Sequence, residues 1–185
     1  MEEGEHTAIV PSKRLVTNAK RKSEPKSSRK GEPSFFMSES MKRLSTPWSV
    51  ASIRARQIDP MALPAGVILD AAAGSGIQLI AFSKILKRPA LGVEIDQDVA
   101  KLCAANMYLN SEGDVQRSLD RVLVGDGCSA ESAVSTYWSS LREAGTRAHP
   151  PVAMLHIDPA RPRDAQNHSL DEMEPDIKSV LKGWS

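Results

Sequence analysis

The sequence predicts an α/β protein built on an open parallel sheet, and three observations predict it. From Val67 onward, short apolar runs alternate with longer helical stretches in a βαβα rhythm. The runs are followed by acids in order, at Asp70, Glu94, Asp126 and Asp158. The chain has 185 residues, 41% of them apolar and 25% charged, which suits one soluble domain with a core of its own.

The elements follow from residue pattern in chain order. Residues 11 to 30 carry eight Lys or Arg against one acid, Glu24, a local net charge of +7. The stretch is Ser-rich and poor in large apolar residues, so residues 1–34 are expected to be a basic disordered arm. Such an arm either solubilises the chain or tracks phosphates. Residues 35–66 are expected to be an N-terminal helical segment. Phe35-Phe36-Met37 supplies its first apolar cluster. Ser45-Thr46-Pro47-Trp48 reads as a helix start with a hydroxyl cap and proline in the first turn. Val50, Ile53 and Arg54 are expected along one face of that helix.

Residues 67–185 form the main domain. Val67-Ile68-Leu69 is the first expected strand, followed by a helix over Ile77 to Leu86. Ala90 to Ile95 is the second strand, followed by a helix capped by Asp98. Arg121 to Val124 is the third strand, with a weaker helix over Ser129 to Glu143 behind it. Val152 to Ile157 is the fourth, followed by a charged loop and a short helix near Pro175 to Leu181.

Several classes are excluded at this level. The longest apolar stretch, Val67 to Leu86, is broken by Asp70, Gly74-Ser75-Gly76 and Lys84, so no membrane span is expected. The opening Met1-Glu2-Glu3-Gly4-Glu5 is acidic and lacks an apolar secretory core, which points to the cytoplasm. Cys103 and Cys128 are the two cysteines, with neither CxxC spacing nor paired histidines, so no metal site and no disulfide is expected.

Ligands of an open parallel sheet bind outside the carboxyl ends of its strands. There the first strand runs into Asp70-Ala71-Ala72-Ala73-Gly74-Ser75-Gly76, a small-residue turn leading to a helix N-terminus. Leu79 stands where a dinucleotide fingerprint needs its third glycine. Glu94 follows Asp70 by 24 residues and suits the two hydroxyls of a ribose. Asp126, in Gly125-Asp126-Gly127, suits an exocyclic amine. Any one of these acids alone is better read as a helix cap; three in order, with Gly74 and Gly76 between them, argue for a site.

With these motifs the chain resembles the class I S-adenosylmethionine-dependent methyltransferases. The resemblance implies a Rossmann-like parallel sheet of seven strands. Only four can be counted, so the sheet is expected to be truncated after the fourth strand, with a partner or a missing C-terminal segment completing it. It further implies S-adenosyl-L-methionine as cofactor, held by Asp70, Ala72, Gly74, Gly76, Glu94, Asp126 and Gly127. Asp158-Pro159-Ala160-Arg161 resembles the Asp/Asn-Pro-Pro-aromatic motif of nitrogen methyltransferases, with Ala160 in place of the second proline and Arg161 in place of the aromatic. Asp158 and Pro159 are the implied catalytic residues. Arg161 and Arg163, which follow directly, are candidate substrate contacts.

Thr46-Pro47-Trp48-Ser49-Val50 with Arg54, and Leu170-Asp171-Glu172-Met173-Glu174-Pro175, are similar to the setting of an Asp-Pro-Ala-Arg motif in archaeal and bacterial RNA methylases of the THUMP-like-domain type. The expected activity is therefore methylation of a base nitrogen in RNA, either tRNA or rRNA. Two alternatives stand beside it: a protein methyltransferase acting on a side-chain nitrogen of a translation component, and a non-catalytic RNA-binding fragment. His156 is expected to pack under a helix, Asn106 to face a neighbour or solvent, and Trp48 to serve packing.

Overall fold

The computed structural model describes residues 5–38, 41–42, 45–111, 115–159 and 173–185. Its elements in chain order are β1 (Thr7–Ile9), α1 (Lys13–Lys20), α2 (Trp48–Arg56), β2 (Val67–Asp70), α3 (Ile77–Leu86), β3 (Ala90–Glu94), α4 (Gln97–Asn110), β4 (Arg121–Val124), α5 (Ala130–Glu143), β5 (Val152–His156) and α6 (Ile177–Trp184). A short 3-10 turn, Val115–Leu119, precedes β4. Among the described residues the protein is an α/β fold with a five-stranded mixed sheet in the order β1-β4-β3-β2-β5. None of its helices there is long and apolar enough to cross a membrane.

The four expected strands are present, paired in parallel as β4-β3-β2-β5. Side-chain alternation builds two cores from them. Ile68, Ala90, Val122 and Val124 face α2, α3 and α4, while Val67, Leu69, Leu91, Val93 and Leu123 face Ala133, Tyr137 and Leu141 of α5. Both faces of the inner strands are therefore covered, which explains their unbroken apolar character. Arg121 opens β4 without solvent exposure. Its guanidinium donates to Ser140 Oγ at 2.9 Å and to the carbonyls of Asp120 and Ser118 at 2.7 and 3.0 Å.

For residues 5–34 the structure departs from the expected disordered arm of residues 1–34. Thr7–Ile9 adds an antiparallel strand to β4, with Ala8 opposite Leu123, so the sheet is mixed rather than purely parallel. Lys13–Lys20 is a helix that buries Val16 and Ala19 against Phe36 and Ala105. Two small apolar side chains on one face are enough to seat a helix whose remaining surface is cationic. Lys26 and Phe35 then exchange backbone hydrogen bonds at 2.9 Å, closing the loop between α1 and the rest of the chain.

Three local expectations are also corrected. The α2 helix buries Ala51, Ser52 and Ala55 and leaves Val50 and Ile53 on its outer side, because small residues allow close approach to α3. No side chain caps α2, and the Thr46 hydroxyl is used elsewhere. Asp96, not Asp98, caps α4, accepting from Asp98 N–H at 2.8 Å and Val99 N–H at 3.1 Å. Segment 35–66 shares one core with the main domain, since Phe35, Ala51 and Ala55 pack in the same cluster as Ile68.

Candidate functional site

A cavity of about 860 Å³ opens at the carboxyl ends of β2, β3, β4 and β5. It is lined by the turn between β2 and α3, by Glu94-Ile95, by Gly125 to Cys128, by Asp158-Pro159, by Ser45-Thr46 and by Glu174 to Asp176. Of the expected cofactor and catalytic positions, Asp70, Ala72, Gly74, Glu94, Asp126, Gly127, Asp158 and Pro159 all line it. Gly76 does not. Its left-handed φ of 78° starts α3, and a Cβ there would stand 2.7 Å from Cys103 Sγ, so its side-chain position is closed by packing. Gly127 is closed more severely, since a Cβ would lie 2.0 Å from the Ala71 carbonyl oxygen. Arg161 and Arg163 lie outside the described residues.

Asp70 is almost wholly buried. Its Oδ1 accepts from Ala72 N–H at 3.1 Å and its Oδ2 lies 3.2 Å from His156 Nδ1, so the carboxylate braces the turn from within. His156 also packs its ring 5.0 Å from that of Phe82, and Trp48 packs 5.8 Å from Phe35. Asn106, with no exposure, accepts from Phe36 N–H at 2.7 Å and donates to the Phe36 and Ser75 carbonyls at 2.9 Å. Asn106 thus ties the Phe36 segment to the turn at the cavity floor.

Glu94 accepts from Gly74 N–H through Oε2 at 2.9 Å and from Asp96 N–H through Oε1 at 3.0 Å. Each oxygen keeps lone-pair capacity for a ligand hydroxyl. Burial holds the Glu94 pKa above its ordinary 4.5, against the lowering effect of those N–H bonds. Ile95 beside it is three-quarters exposed and gives the cavity mouth an apolar surface.

Asp158 is held on one side only. Its Oδ2 accepts from the Thr46 hydroxyl at 3.0 Å and lies 3.5 Å from Arg54 Nη1, while Oδ1 has no protein partner among the described residues. The same Arg54 nitrogen donates to Gln78 Oε1 at 3.1 Å. Cys128, also in the lining, is pushed up to about 11 by burial and then by Asp126, so it stays a neutral thiol and a poor nucleophile near neutral pH.

Comparisons with protein-family models, with curated proteins and with solved structures find no match. The chemistry of the cavity therefore rests on its own residues. Asp70, Glu94, Asp126, Asp158, Glu174 and Asp176 place six carboxyl groups in its wall, and among the described residues no lysine or arginine lines it. A wall of this kind favours a cationic ligand and opposes a phosphate-bearing one.

Three contributors escape a reading by motif. His6, just before β1, places Nε2 3.0 Å from the Asp126 carbonyl oxygen and Nδ1 2.9 Å from the Ser132 hydroxyl. Its ring fills the space a Cβ on Gly125 would need. Trp184 of α6 donates from Nε1 to the Gly127 carbonyl at 2.8 Å. His6 and Trp184 brace the turn after β4 from sequence distances of more than fifty residues, which no local pattern encodes. Gln78 is the third such residue, in the first turn of α3 beside Arg54.

Proposed function

We propose that the chain is a class I methyltransferase of Rossmann-like type that uses S-adenosyl-L-methionine to methylate a base nitrogen in RNA. The observation that carries this reading is the ordered row of acids around one cavity. Asp126, Glu94, Asp70 and Asp158 stand at or just past the ends of the neighbouring strands β4, β3, β2 and β5 and share a wall that, among the described residues, holds no lysine or arginine. A sulfonium cofactor with an ammonium group suits that wall, and a dinucleotide does not.

The residues present fit the cofactor. Glu94 would hold the ribose hydroxyls, with Ile95 against the base and Asp126 toward its amine. When bound, the cofactor supplies an electrophilic methyl group. Asp158 Oδ1 would accept an N–H of the acceptor while Thr46 and Arg54 restrain Oδ2, fixing the carboxylate plane. The Pro159 carbonyl is the second acceptor in this arrangement. Together they aim the nitrogen lone pair into the cavity, so their contribution is positioning and polarisation. The neutral Cys128 thiol argues against a route through a cysteine nucleophile.

RNA is favoured over a protein acceptor by the cationic surface of residues 13–30. Lys13, Arg14, Lys20, Arg21, Lys22, Lys26, Arg29 and Lys30 are all exposed, and none of them makes an ion pair among the described residues. Such a face gains from releasing the counterions of a phosphate backbone.

The test is transfer of a labelled methyl group from the cofactor to total tRNA and rRNA, by wild type and by Asp158→Ala. Loss of an oriented charged acceptor is expected to lower transfer by about a hundredfold. Full transfer by the variant would refute the role of Asp158, and label entering protein instead of RNA would refute the acceptor class.

A further inference from the structure

The turn after β4 carries Asp126 into the cavity wall, and a side chain of the N-terminal segment holds its main chain from outside the cavity. In the antiparallel register of β1 with β4, Thr7 lies opposite Val124, so the pairing places His6 beside Gly125. There the ring is almost wholly buried, and it leaves no room for a Cβ on Gly125, which would overlap His6 Cδ2 and Nε2. The glycine of the turn and the histidine before the strand are thus fitted to each other. A carbonyl oxygen only accepts, so Nε2 is the donor to the Asp126 carbonyl at 3.0 Å. Nδ1 stands 2.9 Å from the Ser132 hydroxyl of α5, which fixes the ring from its other side.

These contacts bear on the Asp126 side chain. Its carbonyl also accepts from Ser129 N–H at 3.1 Å, and its Oδ1 accepts from Cys128 N–H at 2.9 Å. Both of those donors belong to the turn and move with it. Trp184 holds the next peptide, at Gly127, so among the described residues His6 is the hydrogen-bond donor from outside the turn that reaches Asp126 itself. An apolar side chain would fill the same space without fixing an orientation, whereas two directional bonds to the ring set one. His6 does not line the cavity, while Asp126 is exposed and does. Any effect of His6 on a ligand therefore passes through Asp126.

Resting on the cofactor reading above, we infer that His6 is a positioning residue that makes the site selective for an amino purine. By holding the Asp126 main chain through Nε2, it keeps the carboxylate aimed at the exocyclic amine. A 6-oxo purine sets an acceptor against that carboxylate, and the penalty is large only while the carboxylate is held in place. Once the turn is loosened, the carboxylate swings toward solvent. An adenine ligand then loses its hydrogen bond, and an oxo ligand is spared the repulsion. The residue before β1 thereby belongs to the working site, although the cofactor motif begins only at Asp70.

The experiment is calorimetric titration of the full chain with S-adenosylhomocysteine and, separately, with S-inosylhomocysteine, its 6-oxo counterpart, for wild type, His6→Leu, His6→Gln and Ser132→Ala. Wild type is expected to prefer the adenine ligand by about tenfold or more. His6→Leu is expected to lower that preference to within about threefold, chiefly by weakening S-adenosylhomocysteine. His6→Gln carries an amide donor at the place of Nε2 and is expected to keep most of the preference. Ser132→Ala suits a helix, leaves the ring in place and is expected to reduce the preference about twofold. An unchanged preference in both His6→Leu and Ser132→Ala, or an equal loss for the two ligands, overturns the role of His6 and leaves the cofactor reading standing. If circular dichroism shows His6→Leu unfolded, an unchanged preference in Ser132→Ala overturns that role by itself. Equal binding of the two ligands by wild type overturns it as well, since the site then has no selectivity to position. Failure of the wild-type chain to bind either ligand overturns the cofactor reading, and this inference with it.

Discussion

Glu94 holds the turn after β2 and, under the proposed function, would also hold the ribose. Its two oxygens each take a backbone N–H, from Gly74 and Asp96, and burial raises its pKa above 4.5. The folded chain holds this proton more tightly than the unfolded chain. The carboxyl's contribution to stability is therefore fullest below 4.5 and is lost as pH rises through the raised value. Ribose binding has the opposite sign, because the diol needs the ionised acceptor. Cofactor affinity is expected to fall as pH drops through the raised value, starting at a higher pH than for an ordinary glutamate. Glu94→Ala should cost about 1.5–3 kcal/mol of binding at neutral pH and flatten that pH profile. Calorimetry at a series of pH values checks both; an unchanged profile in the variant would remove Glu94 from the binding wall.

Elements were legible in proportion to how much apolar side chain they carry. Val67–Asp70 and Arg121–Val124 stand where the sequence predicts them, because a short apolar run between turn residues has few alternatives. Thr7–Ile9 was not legible: three residues make no pattern, and the strand exists through pairing with Val122 to Val124. The α1 helix was hidden by composition, since its charge outweighs Val16 and Ala19 on the one face that docks. This division of labour within α1 and its following loop is testable. Val16→Asp places a charge at a buried contact and is expected to cost about 2–4 kcal/mol in chemical denaturation. The double change Arg21→Glu with Lys22→Glu, on exposed positions, should stay within about 1 kcal/mol of wild type. The same double change should weaken RNA binding at low salt and reduce its salt dependence. RNA affinity untouched by that reversal would remove the cationic face from the account.

At the scale of the whole molecule, the parallel strands deliver their acids to one end and the helices close both faces of the sheet, leaving a cavity where the strands stop. The acids and the glycine turn were legible because each stands at the end of a short apolar run. The braces were not, because His6, Thr46, Gln78 and Trp184 reach their partners through tertiary contacts. Gly76 shows the converse: it belongs to the motif, yet its place is set by Cys103 and not by the cavity. The central claim is that this acidic cavity holds a sulfonium cofactor. Calorimetric titration of the 185-residue chain with S-adenosylmethionine and with S-adenosylhomocysteine tests it most directly. Saturable one-to-one binding of both, lost together in Glu94→Ala, is the predicted result. A folded chain that binds neither would contradict the claim.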